Sequence, residues 1–88
     1  MKAIMTVTGI DHTGIIAAVA TALAEQNINI HNVQQSIMDN FFTMILHIAL
    51  PEDSVIAGVQ EKMEAVEKQE NLVIRIQSEE FFTAVNEI

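Results

Sequence analysis

The 88-residue sequence predicts an α+β fold of order β-α-β-β-α-β, a four-stranded antiparallel sheet with two helices on one face, plus a short C-terminal helix. Three observations carry that expectation. Runs of period two alternate with runs of helical period along the chain. The turn dipeptide Asp39-Asn40 joins two β-rich runs directly, as a hairpin requires. A strand-like run also becomes a helical one across the short stretch Gly9-Ile10-Asp11-His12-Thr13-Gly14.

Lys2 to Gly9 alternates with Ala3, Met5 and Val7 on one face and Lys2, Ile4, Thr6 and Thr8 on the other, so its apolar side should meet helices. Ile15 to Gln26 repeats Ile16, Val19 and Leu23 at helical spacing, with alanines between them that let the helix lie close to a sheet. Gln26-Asn27 closes it. Ile28 to Met38 resumes as a strand whose apolar parity shifts between Ile30 and Val33, which predicts a bulge or a change of exposed face near His31-Asn32. Phe41 to Leu50 is the second arm of the hairpin and Pro51 stops it.

Asp53 is the expected N-cap of a second helix built on Val55, Ile56, Val59, Met63 and Val66, with Glu61, Glu64, Glu67 and Lys68 forming a solvated outer face. Asn71 ends that helix and Leu72 to Gln77 forms the last strand. Residues 79–88 repeat Phe81, Phe82, Val85 and Ile88, an amphipathic appendage to what reads as one domain over residues 1–88. This order is the ferredoxin-like split βαβ arrangement. The second sheet face would mix Lys2, Thr6, Thr8, Thr43, His47, Arg75 and Gln77 with Ile4, Phe41, Ile45 and Val73, a surface that invites another copy of the chain.

Composition narrows the function. A net charge of −8, with no Lys/Arg cluster, repels phosphate backbones and anionic lipid, so neither nucleic acid nor membrane is an expected partner. No stretch has the length of a membrane span and the first residues do not form a signal peptide, which makes the cytoplasm the expected compartment. Cysteine is absent, excluding disulfides, thiolate metal sites and thiol nucleophiles. With half its residues apolar and no covalent staple, so small a chain is expected to gain burial by forming a homo-oligomer, a dimer first of all.

The chemistry-bearing residues are few. His12, His31 and His47 fit no short metal-ligand spacing, and no nucleophile elbow or phosphate-cradling glycine run is present, so no metal, cofactor or catalytic group is expected and the chain reads as a non-enzyme. The Gly9–Gly14 stretch is different. A strand running straight into a helix exposes unpaired N–H groups and a positive dipole end, where an anion can sit. Asp11 could fix the loop as an Asx-turn or N-cap, and Asn29, at the start of the next strand, is expected close to Asp11. On these six loop residues alone, a capped structural turn is the favoured reading, because Asp and Gly are ordinary turn chemistry.

The run Thr6-Val7-Thr8-Gly9-Ile10-Asp11-His12-Thr13-Gly14-Ile15-Ile16, followed by Leu23-Ala24-Glu25-Gln26-Asn27-Ile28-Asn29-Ile30, resembles the opening half of an ACT domain, the small regulatory module of amino-acid metabolism. With Phe42-Thr43-Met44 and Ile74-Arg75-Ile76-Gln77 the resemblance covers essentially the whole chain. It is similar to small stand-alone bacterial and archaeal ACT proteins and to the ACT modules of the glycine cleavage system transcriptional repressor. The resemblance implies an oligomer that binds a small effector, typically an amino acid, at an interface, through Gly9, Asp11, His12, Thr13, Gly14, Ile15, Asn29 and Ile30. It also allows another regulatory or metabolic protein as partner. Gly14 matches the glycine that admits the ligand, Asp11 the polar residue three positions earlier, and Asn29-Ile30 the family's Asn-Ile pair. Asp11 stands where many effector-binding members have Asn, and Thr13 where they have Pro. The alternative is a pure assembly module without a ligand.

Overall fold

Strict alternation in the first run produces β1 (Lys2–Ile10), with Ala3, Met5 and Val7 fully buried and the intervening residues on the other face. The structure is a computed structural model that describes residues 1–86. It continues with α1 (Ile15–Glu25), β2 (Asn29–Met38), β3 (Phe41–Ala49), α2 (Ile56–Glu70), β4 (Leu72–Ser78) and α3 (Glu79–Asn86). The sheet order is β2-β3-β1-β4, antiparallel throughout, so the two central strands are β1 and β3. This is the expected ferredoxin-like order with its C-terminal helix. Glu87 and Ile88 lie outside the described residues, and so does the side chain of Val85; the expected apolar anchors at those two positions therefore go undescribed.

Asparagine and aspartate supply the left-handed corners. Asn27, Asp39 and Asn71 have φ of 58°, 55° and 56°, a region their short polar side chains tolerate. Asn27 closes α1 in a Schellman motif: its N–H reaches the Ala24 carbonyl and the Ile28 N–H reaches that of Leu23, both at 3.0 Å, with Leu23 and Ile28 buried together. Asp39 turns the hairpin and Asn71 ends α2.

Two details of the helices differ from expectation. The buried stripe of α1 is Ile15, Val19 and Leu23, whereas Ile16 is 48% exposed; the spacings 15-19-23 and 16-19-23 are both helical, and only the angle at which the helix meets the sheet distinguishes them. Asp53 does not cap α2. It lies in a turn closed by the Ser54 N–H on the Pro51 carbonyl at 3.0 Å, and the N-cap is Val55, which has no side-chain hydrogen bond to offer.

The core lies between the sheet and α1 and α2, where Phe42, Met44, Leu46 and Ile48 of β3 and Leu72, Ile74 and Ile76 of β4 meet Val59, Met63 and Val66. Cover stops short of β2. Val33 and Ile37 pair with the buried Leu46 and Phe42, so they stand on the helix-bearing face, yet they are 43% and 52% exposed. Ile30 is the one partly covered residue of this strand. The register shift falls between Ile30 and Asn32, at the bulge the parity change predicts.

Candidate functional site

The β1–α1 loop is built from backbone constraints. Gly14 is the N-cap of α1 at φ 97°, a conformation that strains any L-residue, and its carbonyl accepts the first helical bond from Ala18 at 2.9 Å. No side chain caps this end. Asp11 therefore does not play the expected N-cap part; what fixes it is its backbone N–H, which donates to the Asn40 carbonyl at 2.7 Å and ties the loop to the hairpin tip. Thr13 and Gly14 form the turn into Ile15, which drops into the core. A Cβ placed on Gly14 would meet nothing within 4 Å, so the space above the helix start is open.

Gly9 has the opposite surroundings. A Cβ there would lie 2.7 Å from Leu72 Cδ2 and 3.0 Å from the Asn71 carbonyl oxygen. Of the two glycines, Gly9 admits the neighbouring strand and Gly14 leaves room for something from outside.

His12 fastens the loop to α2. Its Nδ1 lies 2.9 Å from the Ile10 carbonyl and its Nε2 2.9 Å from Glu70 Oε1. Both partners only accept, so the ring makes both bonds as an imidazolium, donating from each nitrogen. The Ile10 carbonyl first, then the Glu70 carboxylate, raise the His12 pKa above its usual 6.5, and Asp11 adds a smaller pull in the same direction. Glu70 is well covered, 16% exposed, and it lines a groove of about 520 Å³ between α1 and α2 together with Gly14, Ala17, Ala18, Thr21 and Val66. A larger hollow, about 970 Å³, lies beside α3 at the far end of the sheet and includes none of the expected site residues.

Asn29 and Ile30 are not beside this loop in the same chain. Asn29 and Lys2 both pair with Ala49, while Met38 and Ile10 both pair with Phe41, so Asn29 is level with the start of β1 and the loop with its end. That length of strand separates them by on the order of 25 Å. The expectation of contact fails because β1 and β2 run parallel, with β3 between them.

The other histidines form a separate group. His31, in the bulge, has its ring centroid 6.0 Å from that of His47, and His47 Nε2 lies 3.2 Å from Glu79 at the start of α3. Among the described residues no group of three or more His, Asp or Glu side chains is arranged to hold a metal ion.

Three polar side chains of α2 escaped the sequence reading, which assigned its polar residues to a solvated face. Gln60 accepts from the Ile76 N–H at 3.1 Å and donates to the Ile74 carbonyl at 2.8 Å; Glu67 accepts from the Ile74 N–H at 2.7 Å and from Arg75 at 3.2 Å. Together they cover the outer edge of β4. Glu70 is the third, through His12. No local signal marks these residues, since their partners lie up to 58 positions away.

Similarity to known proteins follows the geometry. The ACT domain family model matches residues 2–77. A UPF0237 protein of Corynebacterium glutamicum is 68% identical over 89 residues, spanning all of both chains. The solved ACT domain protein from Streptococcus pneumoniae superimposes with a TM-score of 0.82 at 35% identity, over 100% of this chain and 96% of that one. A putative glycine cleavage system transcriptional repressor shares the fold, with a TM-score of 0.76 at 21% identity over 86% of this chain and 44% of its own. The chain belongs to the ACT domain family of regulatory modules, among its small UPF0237 proteins.

Proposed function

We propose that the protein is a regulatory module that binds a small effector, an amino acid or similar metabolite, at an interface between two copies of the chain. The observation that carries this reading is the contrast between the two edges of the sheet. The β4 edge is covered by Gln60 and Glu67, whereas among the described residues no group of β2 makes a hydrogen bond beyond β3. On that free edge strand stand the exposed Val33 and Ile37. An uncovered strand with apolar flanks is suited to pairing with its own copy.

Antiparallel pairing of two β2 strands about a two-fold axis reverses the second copy. The partner copy's Asn29 end then lies at the same end of the joined sheet as the first copy's Gly14. The open space above Gly14 and the uncapped N–H groups of α1 suit a carboxylate; Asp11 and an Asn29 from across the interface suit an ammonium. Such a site binds and orients, and it has no reacting group. Localisation in the cytoplasm accords with this role, and among the described residues no helix is long and apolar enough to cross a membrane.

Equilibrium dialysis against a panel of amino acids tests the reading. A ligand retained by the wild type and lost in Gly14→Val supports it. If no amino acid binds at millimolar concentration while the chain still dimerises, the apolar β2 edge favours the second reading, an assembly module alone.

A further inference from the structure

We propose that His12 is a proton-operated latch: as an imidazolium it fastens the 11–14 loop both to the end of β1 and to the C-terminal end of α2, and on losing its proton it gives up one of these two bonds and loosens the loop. The inference rests on the two acceptors that face the ring. One is the Ile10 carbonyl, on the last residue of β1, and the other is the Glu70 carboxylate, on the last residue of α2. A neutral imidazole carries one N–H, so it keeps one of these bonds and turns a lone pair toward the other oxygen. The charged groups that act on the ring are Glu70 from α2 and Asp11 from the loop itself, both of which favour the cation.

The rest of the loop is lightly held, which makes this bond decisive. Its backbone tie to the sheet is the Asp11 N–H to the Asn40 carbonyl, and at the other end Gly14 enters the helix without a side-chain cap. Proton loss also changes the groove beside Gly14, because Glu70 lines it. With His12 charged, the Glu70 carboxylate is balanced; with His12 neutral, an uncompensated negative charge faces the place where an anion would meet the helix. If the effector reading above is right, on which this consequence rests, a carboxylate ligand binds more weakly as pH rises.

The latch is tested on the ligand-free protein, so its outcome does not depend on whether an effector exists. NMR follows the ring signals of His12 and the backbone relaxation of residues 11–14 from mildly acid to mildly alkaline pH. The expected result is that loop mobility rises with the same midpoint at which His12 loses its proton, that Glu70→Gln moves both midpoints to lower pH, and that His12→Asn leaves a loop mobile at every pH. Loop mobility that stays constant while His12 titrates overturns the proposal, and so does a Glu70→Gln protein in which neither midpoint moves. Should Glu70→Gln fail to fold, the wild-type comparison of the two midpoints decides by itself. A latch that operates in a protein binding no amino acid would leave this inference standing and remove the effector reading alone.

Discussion

Gly9 and Gly14 are five positions apart in the chain and need the absence of a side chain for different reasons. Gly9→Ala drives a Cβ into Leu72 and the Asn71 carbonyl, and overpacking of this kind costs about 1–3 kcal/mol. A thermal melt should show Tm falling by several degrees, with any ligand affinity of the folded fraction unchanged. Gly14→Val strains the left-handed backbone by about 1–3 kcal/mol and fills the open space above the helix, so it should lower Tm and abolish ligand binding together. Stability and binding therefore need to be measured side by side. At His12 the linkage has a definite sign. Its folded pKa lies above 6.5, so the stability from the clasp is complete below 6.5 and is lost as pH rises through the raised value. Melts across that range should show wild type losing stability relative to His12→Asn, and a constant difference would mean that the clasp does not persist in solution. The sequence shows that Gly14 opens a helix, because a glycine between strand-like and helical runs has local meaning. It cannot show that Gly9 yields to Leu72 or that His12 finds Glu70, because both contacts depend on residues far along the chain.

At the scale of elements, the strands, helices and corners follow from local pattern, down to the bulge at His31 and the left-handed asparagines. Where the local reading fails, two local solutions are equivalent: Asp53 has the chemistry of an N-cap but is taken up in a turn, and the stripe of α1 could begin at Ile15 or Ile16. The polar face of α2 shows what sheet assembly adds. Glu67 reads as a solvated acid from the sequence, yet it sits over the β4 edge and satisfies the Ile74 N–H. Glu67→Ala leaves that donor unpaired at a part-buried position and should cost about 1–3 kcal/mol in chemical denaturation. It also exposes the β4 edge, so light scattering should detect self-association beyond that of the wild type. Unchanged stability and unchanged size would show that water replaces the carboxylate without penalty.

For the whole molecule, what the sequence reading misjudges is which ends of β1 and β2 meet. If the first strand ended where the next begins, Asn29 would lie near Asp11, but β1 and β2 run parallel with β3 between them, which leaves Asn29 at the opposite end of the sheet. In the dimer proposed above, a second copy reversed by antiparallel pairing through β2 would bring its own Asn29 to the loop's end of the joined sheet. The apolar residues flanking β2 then hold the molecule together, and replacing Val33 and Ile37 by Lys should yield a folded monomer by sedimentation, since both side chains lie outside the core. Site assembly in trans has a sharper consequence for ligand binding. Gly14→Val and Asn29→Ala should each abolish binding in separate preparations. When the two are denatured, mixed and refolded together, half of the dimers carry one copy of each, and each such dimer has one intact site, formed by the Gly14 of one chain and the Asn29 of the other. The mixture should recover roughly a quarter of the wild-type capacity with wild-type affinity, as two-fold symmetry and random pairing require. A site built within one chain gives no recovery at all, because every chain in the mixture carries one defect, and that result would end the trans arrangement whatever the affinity of the wild type.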